Sequence, residues 1–206
     1  MFQVRIHGRG GQGVVTAAEL LSIAAFLENR HAQAFPTFGS ERTGAPVVAF
    51  CRIDDKPIRV REPIAHPDAL IIQDATLLRQ INVFDGVGPD AYVLINTTRD
   101  LHQLGGELGG DHAGILARPR PERVRAVPAT ELARKHLGRP LPNAVLLGGF
   151  AALSGVISPA SVRAAIREKF SGRVAEGNIA AADEAYAYVR DGLAAETFMT
   201  REAADA

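Results

Sequence analysis

A glycine cluster between two apolar segments most constrains the fold of this chain. Gly8, Gly10, Gly11 and Gly13 separate a short β-branched run at residues 2–7 from a strongly apolar segment at residues 14–27. Apolar positions in the second segment recur with helical spacing and cover more than half of its circumference, which is typical of a helix packed on a sheet. These residues therefore predict a strand, a glycine turn and a helix, a unit found in open α/β sheets.

The glycine spacing fits the G-x-G-x-x-G pattern of phosphate-binding turns at Gly8, Gly10 and Gly13. Such glycines let the backbone approach a ligand, and free amides at a helix start attract anions. A dinucleotide site also needs an acidic side chain about 20 residues further on, where residues 33–35 are Gln, Ala and Phe. No lysine followed by serine or threonine closes the run, which excludes a nucleoside-triphosphate loop. A ligand-binding turn and close packing without a ligand both remain open.

The remaining pattern predicts more strands and helices around this unit. Residues 35–46 form a polar, proline- and glycine-containing loop, and residues 105–121 form a second loop. Predicted strands lie at residues 47–53, 58–60, 69–73, 91–96 and 124–127, and the first two form a hairpin through a turn at 54–57. Predicted helices lie at residues 129–136, 144–154, 159–170 and 179–193, with Asn143 and Ser158 as cap candidates.

Two of these strands end in polar residues that suit a ligand. The continuous apolar runs at 69–73 and 91–96 are typical of strands covered on both faces in a parallel sheet. Gln73-Asp74 and Asn96-Thr97-Thr98 stand at their ends. Because open α/β sheets bind ligands beyond the carboxyl ends of their strands, we expect these ends and the glycine turn to share one rim.

Composition excludes several classes of protein. Lys plus Arg and Asp plus Glu both number 23, so no overall field attracts nucleic acid or an anionic membrane. Residues 1–6 read directly into a strand, and no run of 18 apolar residues follows, which indicates a cytoplasmic protein. The single cysteine, Cys51, lies in an apolar run and is interpreted as a buried hydrophobe rather than a reactive thiol. One thiol cannot hold an iron-sulphur cluster.

Three longer segments carry a family resemblance. Residues 10–21, 34–47 and 50–59, read in that order, resemble the gamma subunit of pyruvate:ferredoxin oxidoreductase and related 2-oxoacid:acceptor oxidoreductases. They cover about the first third of the chain. Asn143 with Leu147-Gly148, and Asn178, are similar to later positions of the family, and residues 105–121 match none of its motifs.

The resemblance implies a non-autonomous enzyme subunit with a Rossmann-like α/β fold, a mostly parallel sheet flanked by helices with a β-hairpin addition. In such complexes a 2-oxoacid is decarboxylated on thiamine diphosphate, electrons pass through iron-sulphur clusters to ferredoxin or a similar acceptor, and coenzyme A usually takes the acyl group. Thiamine diphosphate, Mg and the clusters are expected on alpha-, beta- and ferredoxin-like delta-type partners, and coenzyme A at the interface. The sequence is consistent with this division, because it contains neither the Gly-Asp-Gly motif of thiamine enzymes nor a cluster of cysteines.

The resemblance and the loop pattern together select candidate cofactor-binding residues, with no catalytic or metal-binding residue among them. They are Gly8, Gly10, Gly11, Gln12, Gly13, Phe38, Ser40, Glu41, Arg42 and Gly44. We expect Gly8–Gly13 and Phe38–Gly44 to form one surface facing the thiamine subunits, with Arg42 contacting a phosphate or carboxylate, or else pairing with Glu41 or another subunit.

Other side chains have two interpretations each. His7 is either an acid or base, or a hydrogen-bonded histidine at a strand end. Phe35 and Phe38 are either lid or interface aromatics, or core residues. A cationic stretch is expected on a solvated or subunit-facing surface and contains Arg118, Arg120, Arg123 and Arg125.

The chain is expected to form a single domain over residues 1–195, followed by a frayed or partner-docking tail at 196–206. A free-standing nucleotide-binding protein and a purely structural assembly subunit are the alternatives. The sequence does not name the 2-oxoacid, although the match at residues 34–46 favours the pyruvate group.

Overall fold

The computed structural model describes residues 1–37, 43–101, 104 and 119–204, with side chains as far as residue 194. In these residues six strands form one sheet in the order β2-β3-β1-β4-β5-β6. The strands are β1 (Phe2–Arg9), β2 (His31–Pro36), β3 (Pro46–Asp54), β4 (Ala69–Ile72), β5 (Tyr92–Asn96) and β6 (Val124–Val127).

The sheet is mixed, and its larger part is parallel. Strands β1, β4, β5 and β6 pair in parallel, whereas β3 is antiparallel to both β1 and β2. The predicted α/β fold with a mostly parallel sheet is therefore confirmed. The hairpin addition exists, but it joins β2 to β3.

The predicted hairpin between residues 47–53 and 58–60 is wrong. Residues 58–60 form no strand, and both edges of β3 are already taken by β1 and β2. The Arg52 guanidinium instead holds this segment, donating to the carbonyl oxygens of Val60 at 3.3 Å and Glu62 at 2.5 Å. The Arg52 side chain thus provides the hydrogen bonds to these carbonyl groups that the sequence pattern assigned to a neighbouring strand.

The helices are α1 (Val14–Leu27), α2 (Ala129–Leu137), α3 (Asn143–Ser154), α4 (Pro159–Lys169) and α5 (Gly172–Ala204), with 3₁₀ turns at Ala75–Arg79 and Pro121–Arg123. Ser158 caps α4 as predicted, because its side chain accepts from the Ser161 amide. Asn143 is the first residue of α3 rather than its cap. Helix α5 continues to Ala204, so no helix end marks the predicted boundary at residue 195.

Two apolar layers cover the sheet. Ala69 and Ile71 of β4 pack in the layer built with α1, α3, α4 and α5. Leu70 and Ile72 point to the opposite layer, which contains residues of the 75–79 turn and the following segment. Burial of both faces explains the continuous apolar run of β4. It leaves the strand ends as the places where polar side chains can collect.

None of the helices in the described ranges is both long and apolar enough to cross a bilayer. Residues 105–118 of the predicted second loop lie outside the described residues.

Candidate functional site: the glycine turn and two flanking cavities

The glycine turn joins the end of β1 to the start of α1. Gly11 and Gly13 have φ angles of +93° and +70°, a region that L side chains rarely adopt. A Cβ on Gly13 would lie 3.1 Å from Asn143 Cγ, and one on Gly8 would lie 2.6 Å from Val14 Cγ2. The turn therefore needs glycine both for its conformation and for the close approach of α1 and α3.

The end of the 37–45 connection lies against this turn. The Gly10 amide donates to Ala45 O at 2.9 Å, and the Gly44 amide donates to Gly10 O at 3.1 Å. The topology explains this contact, because β3 starts beside the end of β1, with Pro46 opposite Arg9. Gly44 is thus brought to the glycine turn.

Four predicted site residues, Phe38, Ser40, Glu41 and Arg42, lie outside the described residues. The expectation that they share one surface with the glycine turn stays a prediction.

A polar network that the sequence did not predict ties the turn to β4. Asp74 Oδ2 accepts from Arg9 Nε at 3.0 Å and from Gln12 Nε2 at 2.9 Å. Arg9 also donates to Gly44 O at 3.0 Å. Burial opposes ionisation of Asp74, but hydrogen bonds from Thr76 and Gln12 and the charge of Arg9 lower its pKa overall. Gln12 is therefore held by Asp74. Arg9 and Asp74 are 65 positions apart, so their spacing in the sequence does not identify them as partners.

A first cavity, of about 410 Å³, opens at the carboxyl ends of β4, β5 and β6. Gln12 lines it together with Gln73, Asn96, Thr97 and Thr130, so the structure brings the glycine turn and the polar strand ends to one rim. Asn96 is fixed there, donating to Gln73 O at 2.7 Å and accepting from the Thr130 amide at 3.1 Å.

A second cavity, of about 480 Å³, lies on the other side of the turn. Gly11, Gly13 and Thr16 line it, as do Asn143 and Asn178, two residues that the family resemblance singled out. The glycine turn therefore separates two cavities, each within the size range of small-molecule sites.

His7 is not placed to exchange protons with a ligand. Its side chain is buried, and neither ring nitrogen has a hydrogen-bond partner among the described residues. Burial and the nearby charge of Arg5 lower its pKa to about 3. His7 does lie at the end of β1, but the expected hydrogen bond is not formed in the described part of the chain.

The aromatic and cationic side chains divide between packing and surface roles. The centre of the Phe35 ring lies 5.1 Å from that of the Phe50 ring and also 5.1 Å from the Arg52 guanidinium carbon, so Phe35 has a packing role.

The arginines of the cationic stretch differ in their surroundings. Arg120 pairs with Asp90 at the surface, at 3.0 Å. Arg125 is buried and donates to Pro121 O at 3.0 Å, which corrects its expected place on a solvated surface; Arg118 lies outside the described residues.

The predicted burial of Cys51 is confirmed. Its side chain is fully buried, and burial raises the pKa of the thiol. Among the described residues, no three His, Cys, Asp or Glu side chains are grouped so as to hold a metal ion.

Comparison with known proteins shows the family of this chain. Residues 3–188 match the family model described as pyruvate ferredoxin/flavodoxin oxidoreductase. The chain is 45% identical to pyruvate synthase subunit PorC of Methanocaldococcus jannaschii, covering 90% of this chain and 96% of that protein. It is 42% identical to the pyruvate/ketoisovalerate oxidoreductases common subunit gamma of Pyrococcus furiosus, with the same coverage.

Solved structures share the fold. The pyruvate oxidoreductase subunit PORC of Thermotoga maritima matches with a TM-score of 0.75 and 30% identity, over 90% of this chain and 94% of that one. The 2-oxoglutarate:ferredoxin oxidoreductase of Magnetococcus marinus matches with a TM-score of 0.70 and 19% identity, over 92% of this chain and 31% of that one. This chain belongs to the pyruvate ferredoxin/flavodoxin oxidoreductase family.

Proposed function

We propose that this chain is the gamma-type subunit of a 2-oxoacid:ferredoxin oxidoreductase that acts on pyruvate or a closely related 2-oxoacid. The observation that carries the proposal is the identity of 42–45% to PorC and common gamma subunits along almost their whole length. In that complex the 2-oxoacid loses CO₂ and two electrons, the electrons pass to ferredoxin or a similar acceptor, and the acyl group passes to coenzyme A.

The chain contributes shape and binding groups rather than the reaction centre. Its sequence contains one cysteine and no Gly-Asp-Gly motif, so thiamine diphosphate, Mg and the iron-sulphur clusters are assigned to alpha-, beta- and delta-type partner subunits. The glycine turn and Gly44 are assigned to the surface that meets the thiamine-binding partners, beside the entry of coenzyme A.

The glycine turn suits a ligand of this kind because it offers backbone groups at close range. Gly11 is exposed, and among the described residues the nearest neighbour of an added Cβ would be Thr43 Cγ2 at 4.0 Å. No side chain in the described ranges therefore blocks the approach of a ligand to this backbone. Arg42, six residues after Pro36, adds a cation in the same connection and is proposed to contact coenzyme A.

The test uses the complex purified through a tag on this chain. We expect alpha-, beta- and delta-type chains to co-purify, and the complex to reduce ferredoxin or a viologen dye with pyruvate and coenzyme A. A panel of branched-chain, aryl and dicarboxylic 2-oxoacids then defines the substrate. Turnover by the isolated chain, or isolation from its host without companions, would refute the proposal.

The role of the 38–44 segment has a separate readout. Arg42→Ala should raise the KM for coenzyme A with little change in the KM for the 2-oxoacid, because a lost charge-assisted contact weakens binding of one substrate. Arg59→Ala, which removes an exposed arginine elsewhere, serves as the control. Unchanged kinetics in an Arg42→Ala complex that assembles normally would reject this role.

A further inference from the structure

The first cavity is lined by three side-chain amides, those of Gln12, Gln73 and Asn96. The Gln12 nitrogen donates to Asp74 Oδ2 at 2.9 Å, and its oxygen accepts a backbone N–H at 2.8 Å. The Asn96 oxygen accepts from the Thr130 amide at 3.1 Å, and its nitrogen donates to Gln73 O at 2.7 Å. By contrast, neither Oε1 nor Nε2 of Gln73 has a hydrogen-bond partner among the described residues. One of the three amides therefore keeps its full capacity to bind a further group.

The unpaired amide of Gln73 is buried at a fixed point of the sheet. Gln73 is 1% exposed and follows the last residue of β4. Its backbone N–H donates to His7 O at 2.7 Å, and its backbone carbonyl holds Asn96. A buried amide without partners is costly, and a side chain such as methionine would fill a similar space without that cost. A group that pairs with the amide explains a glutamine at this position.

The glycine turn leaves room for this amide. A Cβ on Gly8 would lie 3.1 Å from Gln73 Oε1 and 3.2 Å from Gln12 Oε1. The two glutamine side chains thus lie together beneath the turn, at the wall of the cavity. Because the Gln73 amide is covered there, it must turn toward the cavity to meet a ligand, and the rotatable bonds of its side chain permit this.

The charges on the cavity wall balance one another. The charged residues of the lining are two arginines, Arg79 and Arg99, and two acids, Asp74 and Glu131. A phosphate would lie near two carboxylates, which repel it. Four threonines also line the cavity and supply hydroxyl groups. The wall therefore suits an uncharged ligand that forms hydrogen bonds.

We propose that the first cavity binds an uncharged small molecule with a carboxamide or cyclic amide group, and that Gln73 recognises this group. A glutamine side chain presents a donor and an acceptor side by side, and so does a carboxamide, so the two form a pair of hydrogen bonds. Ala75, Leu104 and Pro128 line the same cavity and offer contacts to the apolar part of the ligand. The cavity volume of about 410 Å³ is within the range of small-molecule sites.

The test follows the side-chain amide signals of the ¹⁵N-labelled full-length chain by NMR while benzamide is added. The signals of Gln73 are identified by their absence from the spectrum of Gln73→Met protein. In native protein they should shift and saturate as benzamide binds. N,N-Dimethylbenzamide keeps the acceptor but lacks the donor, and benzoate replaces the donor with an anionic oxygen. Each should bind at least about tenfold more weakly than benzamide.

Two variants separate recognition by Gln73 from effects on the fold. Gln73→Met should weaken benzamide binding at least about tenfold while its melting temperature is no lower than that of native protein. Gln33→Met is the matched control, because Gln33 also has a buried oxygen without a partner among the described residues, but it lies on β2, which β3 and β1 separate from β4. Gln73 signals that do not move with benzamide, equal binding of N,N-dimethylbenzamide by native protein, or native-like binding by Gln73→Met protein would each overturn the proposal. Pyruvate-dependent dye reduction by the complex tests the proposed function separately.

Discussion

Replacement of Gly148 by alanine tests a close contact between α3 and α5. Gly148 lies in α3, and a Cβ added there would lie 2.6 Å from the carbonyl carbon and 2.9 Å from the Cα of Ala182 in α5. Carbon atoms normally pack at about 3.5–4.0 Å. Since the obstacle is backbone, a rotamer change cannot relieve the clash, and α3 and α5 must separate by roughly 1 Å.

The expected cost follows from two opposing effects. Alanine is favoured over glycine within a helix by about 1 kcal/mol, whereas forcing an extra methyl group into a packed interface costs about 1–3 kcal/mol, occasionally more. Because the clash is with rigid backbone, we take the upper end of that range. Gly148→Ala should then lower the free energy of unfolding by about 2 kcal/mol, which is about 4–8 °C in Tm for a chain of this size.

Two other helical glycines provide controls in urea and thermal unfolding. A Cβ on Gly149 would lie 3.4 Å from the side chains of Leu94, Val127 and Val189, so Gly149→Ala should change stability by less than about 1 kcal/mol. No atom of the described residues lies within 4 Å of a Cβ added to Gly192, and Gly192→Ala should stabilise by about 0.5–1 kcal/mol. A Gly148→Ala protein as stable as native would refute the argument from close approach.

Three further predictions concern titratable groups. Asp74→Asn should lower the free energy of unfolding by about 1–3 kcal/mol at pH 7. Because the pKa of Asp74 is lowered in the folded state, the native protein should keep its full stability advantage above the unfolded-state pKa and lose it as the pH falls through the folded-state pKa. A stability difference that stays constant between pH 7 and pH 3 would contradict this. The pKa of His7 is lowered to about 3, so between about pH 6.5 and 3 the unfolded chain binds one more proton than the folded chain, and stability falls on acidification. His7→Gln protein should therefore lose less stability than native protein between pH 7 and pH 4.5. An equal loss in the two proteins would exclude His7 as the cause. Burial raises the pKa of Cys51, so native protein should react with a thiol reagent only on unfolding, and rapid labelling at pH 8 would show that the thiol is accessible.

The elements predicted well from sequence are those with strong local signals. Helix α1 combines a glycine turn before it with apolar residues around most of its surface, and its bounds agree at both ends. Strand β6 is likewise found at residues 124–127 as predicted. In both cases the hydrophobic pattern of the element itself is enough to identify it, so the elements that pack against it need not be known.

Strand β2 was missed because its signal depends on its neighbours. Its residues are only partly buried, it lies at the sheet edge, and it ends in Pro36. His31-Ala32-Gln33-Ala34 does alternate polar and apolar residues, but the run is short, its apolar positions are alanines, which are depleted in strands, and a proline ends it. The false strand at 58–60 has the same origin, since the sequence cannot show that β1 and β2 already occupy both sides of β3.

The candidate site was predicted in part. Glycine spacing located the turn, because positions 11 and 13 have positive φ angles that favour glycine, and this preference can be seen in the sequence. The Arg9–Asp74 pair and the second cavity were not predicted, since each joins residues that are distant in sequence. Arg139 and Arg173 are 34 positions apart, and only the packing of α2, α3 and α5 places them on one wall.

The reversed direction of β3 also bears on how family members can differ. In a purely parallel sheet each loop at the ligand edge leads into a crossover helix, so a change in loop length shifts that helix on the sheet behind it. Here the chain leaves along β2 and returns along β3 at a single edge. Insertions or deletions between residues 37 and 45 can therefore be accommodated between β2 and β3 without shifting any helix on the sheet.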